Sequence, residues 1–518
     1  MTGNAGQKYR FSRAPIWQLQ RSYYEEQGLK AWNNDQVPQY ITSNPMIATA
    51  YAEVIFGFLQ DRAGQGHLTE TVTILELGAG AGRLAFHILK QLCDIIAYAD
   101  IPLPPFRYVM SDLPSKNITS WQQHPRLHPF VEQGILDFAR FDAVQDTELN
   151  LVHSKLCIRP GDLQQPLLLV ANYFFDSIPQ ELLYVDEGKI YECEVSIEYS
   201  AEADPDNPSD ALGKIIPHYH YRRAASYEED PYPYHNVIAL YQQQLEDSHI
   251  LFPEVGLLCL ERLAKLSQAG FMLLTADKGD HRLENWKFAE PPKLIHHGSF
   301  SLTANYHAIQ HVLEQKGALS LFTTHHYKNL NIGCMLRVET PQSYTNTRLS
   351  YRRSIERFGP DDFFSMKEWM DQQIDSLDLQ QILAFWRLGG YDAEWFIHSA
   401  EQISDLLPDA SDEERLDLER GIERMWTGYY PMEQSYDLSL DAGLLLYEMD
   451  KFEKALEYLE RSMHANSEEP LASVLYSMAI CKYELGAETE ALEYAHRALK
   501  MEPDNDVVLE FIAALNEE

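Results

Sequence analysis

The run Ile74-Leu75-Glu76-Leu77-Gly78-Ala79-Gly80-Ala81-Gly82-Arg83 decides the reading of this chain. An apolar run leads into three glycines at alternate positions, and the stretch RLAFHILKQL follows with the spacing of an amphipathic helix. Glycines let a backbone approach a ligand closely, and a helix N-terminus offers free N–H groups to a negatively charged moiety. Strand, turn and helix in this order point to a nucleotide-like ligand. The dinucleotide pattern G-x-G-x-x-G would need a glycine where Arg83 stands, and Gly82 comes one position early. Glu76, just ahead of the glycines, further disfavours a pyrophosphate.

Outward from this turn, residues of about 60 to 340 alternate short apolar runs with helical stretches. TVTILELG (71–78), FRYVMSD (106–112), PLLLVANYF (166–174) and GFMLLTAD (270–277) read as parallel strands, near-continuously apolar as strands covered on both faces must be. LDFARFDA (136–143) reads as a further strand. SNPMIATAYAEVIFGFLQDR (43–62) has helical spacing and is expected to cap the sheet.

The pattern E-x-G-x-G-x-G resembles motif I of class I S-adenosylmethionine-dependent methyltransferases. The resemblance implies an α/β fold with a doubly wound, seven-stranded Rossmann-like sheet, and S-adenosyl-L-methionine as cofactor with S-adenosyl-L-homocysteine as product. Gly78, Gly80 and Gly82 would then hold the methionine and ribose side of the cofactor, with Glu76 near its amino end. A ribose needs a carboxylate to accept two hydroxyl hydrogen bonds, and Asp112, closing its strand, is placed for that. Asp142 and Ala143, at the end of LDFARFDA, would offer an acidic side chain and a backbone N–H to the adenine edge.

At the end of the fourth strand stands Val170-Ala171-Asn172-Tyr173-Phe174-Phe175-Asp176-Ser177-Ile178-Pro179-Gln180-Glu181. The carboxyl ends of strands in an open parallel sheet are where ligands meet. This segment resembles the A-N-E-x-x-D-A-L-P stretch of the MidA family of methyltransferases, which includes a mitochondrial complex I assembly factor that methylates protein arginine. WNNDQVPQYITSNPMIATAYAEVIFGFL (32–59) and HHGSFSLTANYHAIQHVLEQKGA (296–318) resemble two further stretches of that family. Departures fall on the acceptor side: Tyr173 replaces the family's glutamate, no acidic residue follows Pro45, and Asn305 replaces a histidine. The resemblance implies an arginine acceptor, whose guanidinium would need carboxylates to orient it. Asn172, Asp176 and Glu181 are the candidates to face it. The stretch from Pro217 to Tyr234, rich in tyrosine and carboxylates, is expected either as a loop lining a substrate groove or as a hairpin with packed aromatics.

The chain has 518 residues, enough for two or three domains. Expected divisions are an N-terminal helical cap (1–62), the methyltransferase domain (63–345), a helical domain (346–434) and a terminal segment (435–518). Within that last segment Gly443, Ala455 and Ser462 recur as Ala479, Ala491 and Ala498, a period of 36. Small residues at these places resemble a pair of tetratricopeptide repeats with a capping helix, the alternative being an ordinary helical hairpin pair. The segment holds 19 Asp+Glu against 6 Lys+Arg, so a concave repeat surface there would recruit a basic protein or peptide.

Lys+Arg of 42 against Asp+Glu of 78 gives a net charge of −36, which opposes nucleic-acid binding. No stretch approaches a membrane span and the start lacks a signal-peptide core, so a cytoplasmic protein is expected. The six cysteines are scattered without C-x-x-C and read as reduced thiols; the close histidine pairs lack a metal-ligand pattern. A homodimer is compatible with all of this. Two other functions remain open at this stage, a small-molecule O- or N-methyltransferase and a non-catalytic assembly factor that keeps the cofactor as a structural ligand.

Overall fold

A computed structural model describes residues 7–33, 39–200, 202, 204, 207–227, 232–297, 299–325, 330–432, 436–465 and 471–517. The apolar runs form strands Val72–Leu77 (β1), Phe106–Asp112 (β2), Leu136–Arg140 (β3), Leu167–Asn172 (β4) and Phe271–Asp277 (β5), joined by Leu319–Phe322 (β6) and Asn331–Arg337 (β7). All residues of β1 and β5 are buried, as expected for strands covered on both faces. The sheet order is β6-β7-β5-β4-β1-β2-β3. β1 to β5 are mutually parallel, and β7 runs antiparallel to both β5 and β6. The chain leaves β1 toward one edge and returns to the other side of β1 with β4. That reversal opens a crevice beyond the carboxyl ends of β1 and β4.

Helix Pro15–Gln27 (α1) and the start of Arg83–Ala99 (α3) line this crevice, and Pro45–Gly64 (α2) packs against α3. α2 starts at Asn44, whose side chain accepts the Ile47 N–H at 3.1 Å, with Pro45 at the first helical position. It is apolar almost all round, with 13 of its 20 residues buried, because it is covered on more than one side. Near its end Asp61 receives four hydrogen bonds of 2.8 to 3.0 Å from the backbone and side chains of Asn346 and Thr347. One helix thus supplies the cap for helix Thr345–Tyr351.

Between β4 and β5 the chain builds a second, antiparallel sheet from Glu181–Asp186, Lys189–Tyr199, Ile215–Arg223 and Ser248–Phe252. Residues 217–223, expected as a loop or hairpin, form most of a nine-residue strand paired along Lys189–Tyr199. Tyr219 is turned inward onto Phe11, and its hydroxyl donates to the Pro292 carbonyl at 3.0 Å. Residues 228–231 of that stretch lie outside the described residues. Tyr9–Arg10 form a two-residue strand on the same sheet, opposite Glu194 and Val195.

The chain divides into two compact units, Met1–Ser365 and Met366–Glu518. The second is helical. Its last part consists of two successive hairpins, Leu438–Glu448 with Phe452–Ala465 and Ala472–Glu484 with Glu488–Met501, followed by helix Asp506–Glu517. Ala455, Ala479, Ala491 and Ala498 are fully buried, and a side chain at Gly443 would lie 2.8 Å from Leu459. The recurring small residues are therefore the points where paired helices touch. Among the described residues no helix is long and apolar enough to cross a membrane.

Replacing Asp61 by alanine strips four donors of their acceptor in a buried setting. Urea denaturation of the full chain should show the first unit losing about 2–4 kcal/mol of stability.

Candidate cofactor site

The glycine turn is held from three directions. Gly78, Gly80 and Gly82 have φ of 70°, 54° and 86°, the left-handed region that favours glycine. The Gly80 N–H donates to Asp112 Oδ2 at 2.9 Å, and its carbonyl accepts from Trp121 Nε1 at 3.0 Å. The Ala79 N–H donates to the Ser111 carbonyl at 2.9 Å. A Cβ on Gly80 would stand 3.2 Å from the Trp32 ring, so the turn has room for backbone only.

Asp112 ends β2 in the crevice. Besides Gly80, it accepts from the Leu113 N–H at 2.7 Å and from Asn117 Nδ2 at 3.1 Å. Burial raises its pKa from the ordinary carboxylate value, against the opposing pull of these three donors. Glu76, 3% exposed, accepts from the Tyr108 hydroxyl at 3.1 Å; burial pushes its carboxyl up to about 8. Asp142 follows β3 and is paired with Arg21 of α1 at 2.7 Å, with Gln145 Nε2 at 3.0 Å and the Val144 N–H at 3.0 Å also on its carboxylate. The Ala143 carbonyl accepts from the Arg262 guanidinium.

Asn172 is fully engaged. Its Oδ1 accepts from the Tyr51 hydroxyl at 2.7 Å and its Nδ2 donates to the Thr42 carbonyl at 3.1 Å. It therefore fixes the start of α2 to the tip of β4. The next residue, Tyr173, has a φ of 49°, a costly conformation for a bulky side chain, and lines the crevice.

Glu76, Gly78, Gly80, Asp112, Asp142, Ala143 and Asn172 thus meet in one cleft, as the sequence suggested. Gly82, Asp176 and Glu181 do not line it. Gly82 serves as the N-cap of α3. Asp176 is 3% exposed and faces the fully buried Asp277, which accepts from the Tyr306 hydroxyl at 2.8 Å; burial raises the pKa of both carboxyls, that of Asp277 further through the neighbouring Asp176 charge. Glu181 opens the second sheet, where it accepts from Ser12 at 2.5 Å and pairs with Arg10 at 2.7 Å.

Residues that sequence reasoning missed come mainly from α1 and the segment after it. Arg21 reaches Asp142, and Tyr24 stacks on Trp32 with ring centroids 5.7 Å apart and planes 22° from parallel. The Tyr24 hydroxyl hydrogen-bonds Ser299 Oγ at 2.7 Å. The only advance signal was the aromatic content of PIWQLQRSYYEEQ. The donor set fits a nucleoside with a charged amino-acid tail: Asp112 for ribose hydroxyls, Glu76 for an ammonium, a side-chain-free turn for close backbone approach, and aromatic walls for an adenine.

A family model described as "Putative S-adenosyl-L-methionine-dependent methyltransferase" matches residues 57–332, more than half of the 518-residue chain. The chain belongs to this methyltransferase family. S-adenosylmethionine is its cofactor. The methyltransferase is similar to a native crystal structure of an uncharacterised superfamily protein from Burkholderia thailandensis, at 14% identity and a TM-score of 0.41, covering 65% of this chain and 90% of that one. A second structure from the same organism, a "likely methyl transferase" bound to S-adenosyl-homocysteine, has 16% identity and a TM-score of 0.40, over 61% of this chain and 75% of that one. The N-methyltransferase NodS from Bradyrhizobium japonicum, in complex with S-adenosyl-L-homocysteine, has 10% identity and a TM-score of 0.26, over 62% of this chain and 98% of that one. Comparison with curated proteins finds no match.

Charge-assisted hydrogen bonds to ribose are worth roughly 1.5–3 kcal/mol, so Asp112→Ala should weaken S-adenosylhomocysteine binding about 10- to 100-fold by calorimetry, and Gly80→Val should abolish it. With its pKa near 8, Glu76 holds a proton at pH 7 that an arriving ammonium should expel. The titration heat should then depend on the buffer's ionisation enthalpy, and Glu76→Gln should remove that dependence. The folded state keeps this proton after the unfolded chain, with its ordinary value of 4.5, has released it. Relative to Glu76→Gln, the free protein should therefore lose stability as pH rises from about 4.5 to about 8, which thermal denaturation checks.

Proposed function

We propose that this methyltransferase transfers a methyl group from S-adenosylmethionine to a side chain of a protein or peptide, with arginine as the acceptor. The cleft in which Glu76, Asp112, Asp142 and the glycine turn converge beside Asn172 and Tyr173 supports the methyl-transfer part of the reading, and the arginine acceptor rests on the resemblance of residues 170–181 to the MidA-family stretch. The reversal of strand order at β1 is consistent with a doubly wound methyltransferase sheet.

Bound there, the cofactor supplies an electrophilic methyl on a sulfonium. The chain's own task is to aim a nucleophile in line with it and to exclude water. Asp112, Glu76 and Asp142 fix the direction of the cofactor. Asn172 acts as a positioning residue by clamping the tip of β4 to Tyr51 and Thr42, which sets the place of Tyr173 at the cleft wall. Asp176 supports the same turn from behind through Asp277, and Glu181 binds a guanidinium in the adjoining sheet. A guanidinium attacking through nitrogen must lose a proton, and a carboxylate is the natural acceptor of it.

The helical hairpins at the C-terminus, with small residues at each close contact, have the character of tetratricopeptide repeats. The segment 435–518 that contains them has 19 acidic against 6 basic residues, which suits it to recruit a basic partner. In a lysate supplied with methyl-labelled cofactor, the full chain should label proteins at arginine. Replacing the exposed Glu453, Glu493 and Glu510 together by glutamine should cut that labelling several-fold and flatten its dependence on salt, while cofactor binding stays unchanged. Label appearing only in small molecules would contradict the reading.

A further inference from the structure

The second sheet already contains a site that binds an arginine. Arg10 Nη2 lies 2.7 Å from Glu181 Oε1 and 3.7 Å from Glu254 Oε2, and Arg10 Nε lies 2.9 Å from Glu192 Oε1. The same Nη2 donates to the Tyr227 hydroxyl at 2.6 Å, which in turn donates to Glu192 at 2.9 Å. Three carboxylates and a phenol thus surround one guanidinium. Arg222 balances part of this charge from the far side of Glu192.

We infer that this cage is a docking site for an arginine-bearing extended segment of the protein substrate, and that the chain's own Tyr9–Arg10 occupies it in cis. The inference rests on the protein-substrate reading above. Four observations carry it. The cage belongs to the scaffold and the guanidinium comes from outside: the side chains of Glu181 and Glu192 are each 4% exposed, whereas that of Arg10 is 34% exposed. The arginine is delivered by only two residues of backbone, Tyr9 opposite Val195 and Arg10 opposite Glu194, which add to an existing sheet as an incoming peptide strand would. Glu181 keeps a buried oxygen, Oε2, with no hydrogen-bond partner, so the cage offers an acceptor that Arg10 leaves unused. The site also adjoins the cofactor cleft, because Pro179 and Trp17 line that cleft, Pro179 stands two residues before Glu181, and Trp17 packs edge-on against Phe11 at 6.0 Å.

The chemistry selects arginine over lysine. The planar guanidinium sets Nη2 2.7 Å from Glu181 and Nε 2.9 Å from Glu192, two separated ion-pair contacts that a single ammonium cannot make at once, while its hydrogen bond runs from Nη2 to Tyr227 and Nε keeps no hydrogen-bond partner. It also favours exchange over vacancy. With Arg10 gone, Glu181 would be a buried carboxylate without a cation and Glu192 would keep only Arg222, so one guanidinium should leave only as another enters.

The test uses a fluorescein-labelled peptide copying residues 7–12, Gln-Lys-Tyr-Arg-Phe-Ser, and two analogues with its arginine replaced by lysine or citrulline, titrated by fluorescence anisotropy. The wild-type chain should bind the arginine peptide weakly, because its own segment competes. Arg10→Ala should bind it at least tenfold tighter, prefer it over both analogues, and lose the gain when combined with Glu192→Gln. Retained S-adenosylhomocysteine binding shows that the variants fold. If Arg10→Ala fails that check, Arg10→Lys replaces it, with a gain of several-fold expected. The proposal is overturned if the folded variants gain no affinity, if the citrulline peptide binds equally well, or if both Arg10 variants lose cofactor binding, since Arg10 would then be a structural ion-pair member. No methyl is transferred in this titration, so its outcome stands apart from whether lysate proteins are labelled.

Discussion

The hydrogen bond of 2.9 Å between the Gly80 N–H and the Asp112 carboxylate joins the two features on which the cofactor site rests. It ties the glycine turn after β1 to the end of β2, across neighbouring parallel strands whose register places Leu77 opposite Ser111. Only a left-handed backbone can turn so sharply there, and only a residue without a side chain fits beneath Trp32. The buried carboxylate is kept in place by three donors from its own surroundings while it lines the cleft. Parallel strands bring these groups to one edge, and the reversal of strand order at β1 leaves the space they share.

Around that edge, the N-terminal helices convert an open crevice into a walled one. Arg21 meets Asp142, Trp32 and Tyr24 stack over the glycine turn, and Asn172 holds the beginning of α2. The acidic groups of the cleft are therefore not equivalent. Glu76 is desolvated and protonated near neutrality, whereas Asp142 is already neutralised by an arginine. A zwitterionic amino-acid tail at one end and a neutral base at the other match that division.

Much of this was legible in the sequence. The strands β1, β2, β4 and β5 fall within two residues of their apolar runs, because burial on both faces leaves no alternative composition. The glycine turn and Asp112 stood out because backbone geometry and ribose chemistry each demand one residue type, Asp142 came from the resemblance, and all three line the one cleft. The second sheet was hidden by its composition: IIPHYHYRR alternates inward and outward with histidine, tyrosine and arginine, so its period of two carries little hydrophobic contrast. Asp176 and Glu181 lie a few residues beyond Asn172 in sequence, yet the turn at Tyr173 sends one behind the sheet and the other into a new one. Linear proximity does not reveal which way a strained turn points. The α1 residues escaped notice because a covering helix needs only an apolar stripe, and Arg21 acquires meaning only when Asp142 is opposite.

The cofactor is expected at the carboxyl edge of β1, β2 and β3, under the N-terminal helices. Hydrogen–deuterium exchange of the full chain with and without S-adenosylhomocysteine tests it most directly. Protection concentrated in residues 76–83, 111–114 and 141–144, together with 15–32, is the predicted result. Protection that leaves 76–83 and 111–114 unchanged, or that appears only elsewhere in the chain, would contradict it.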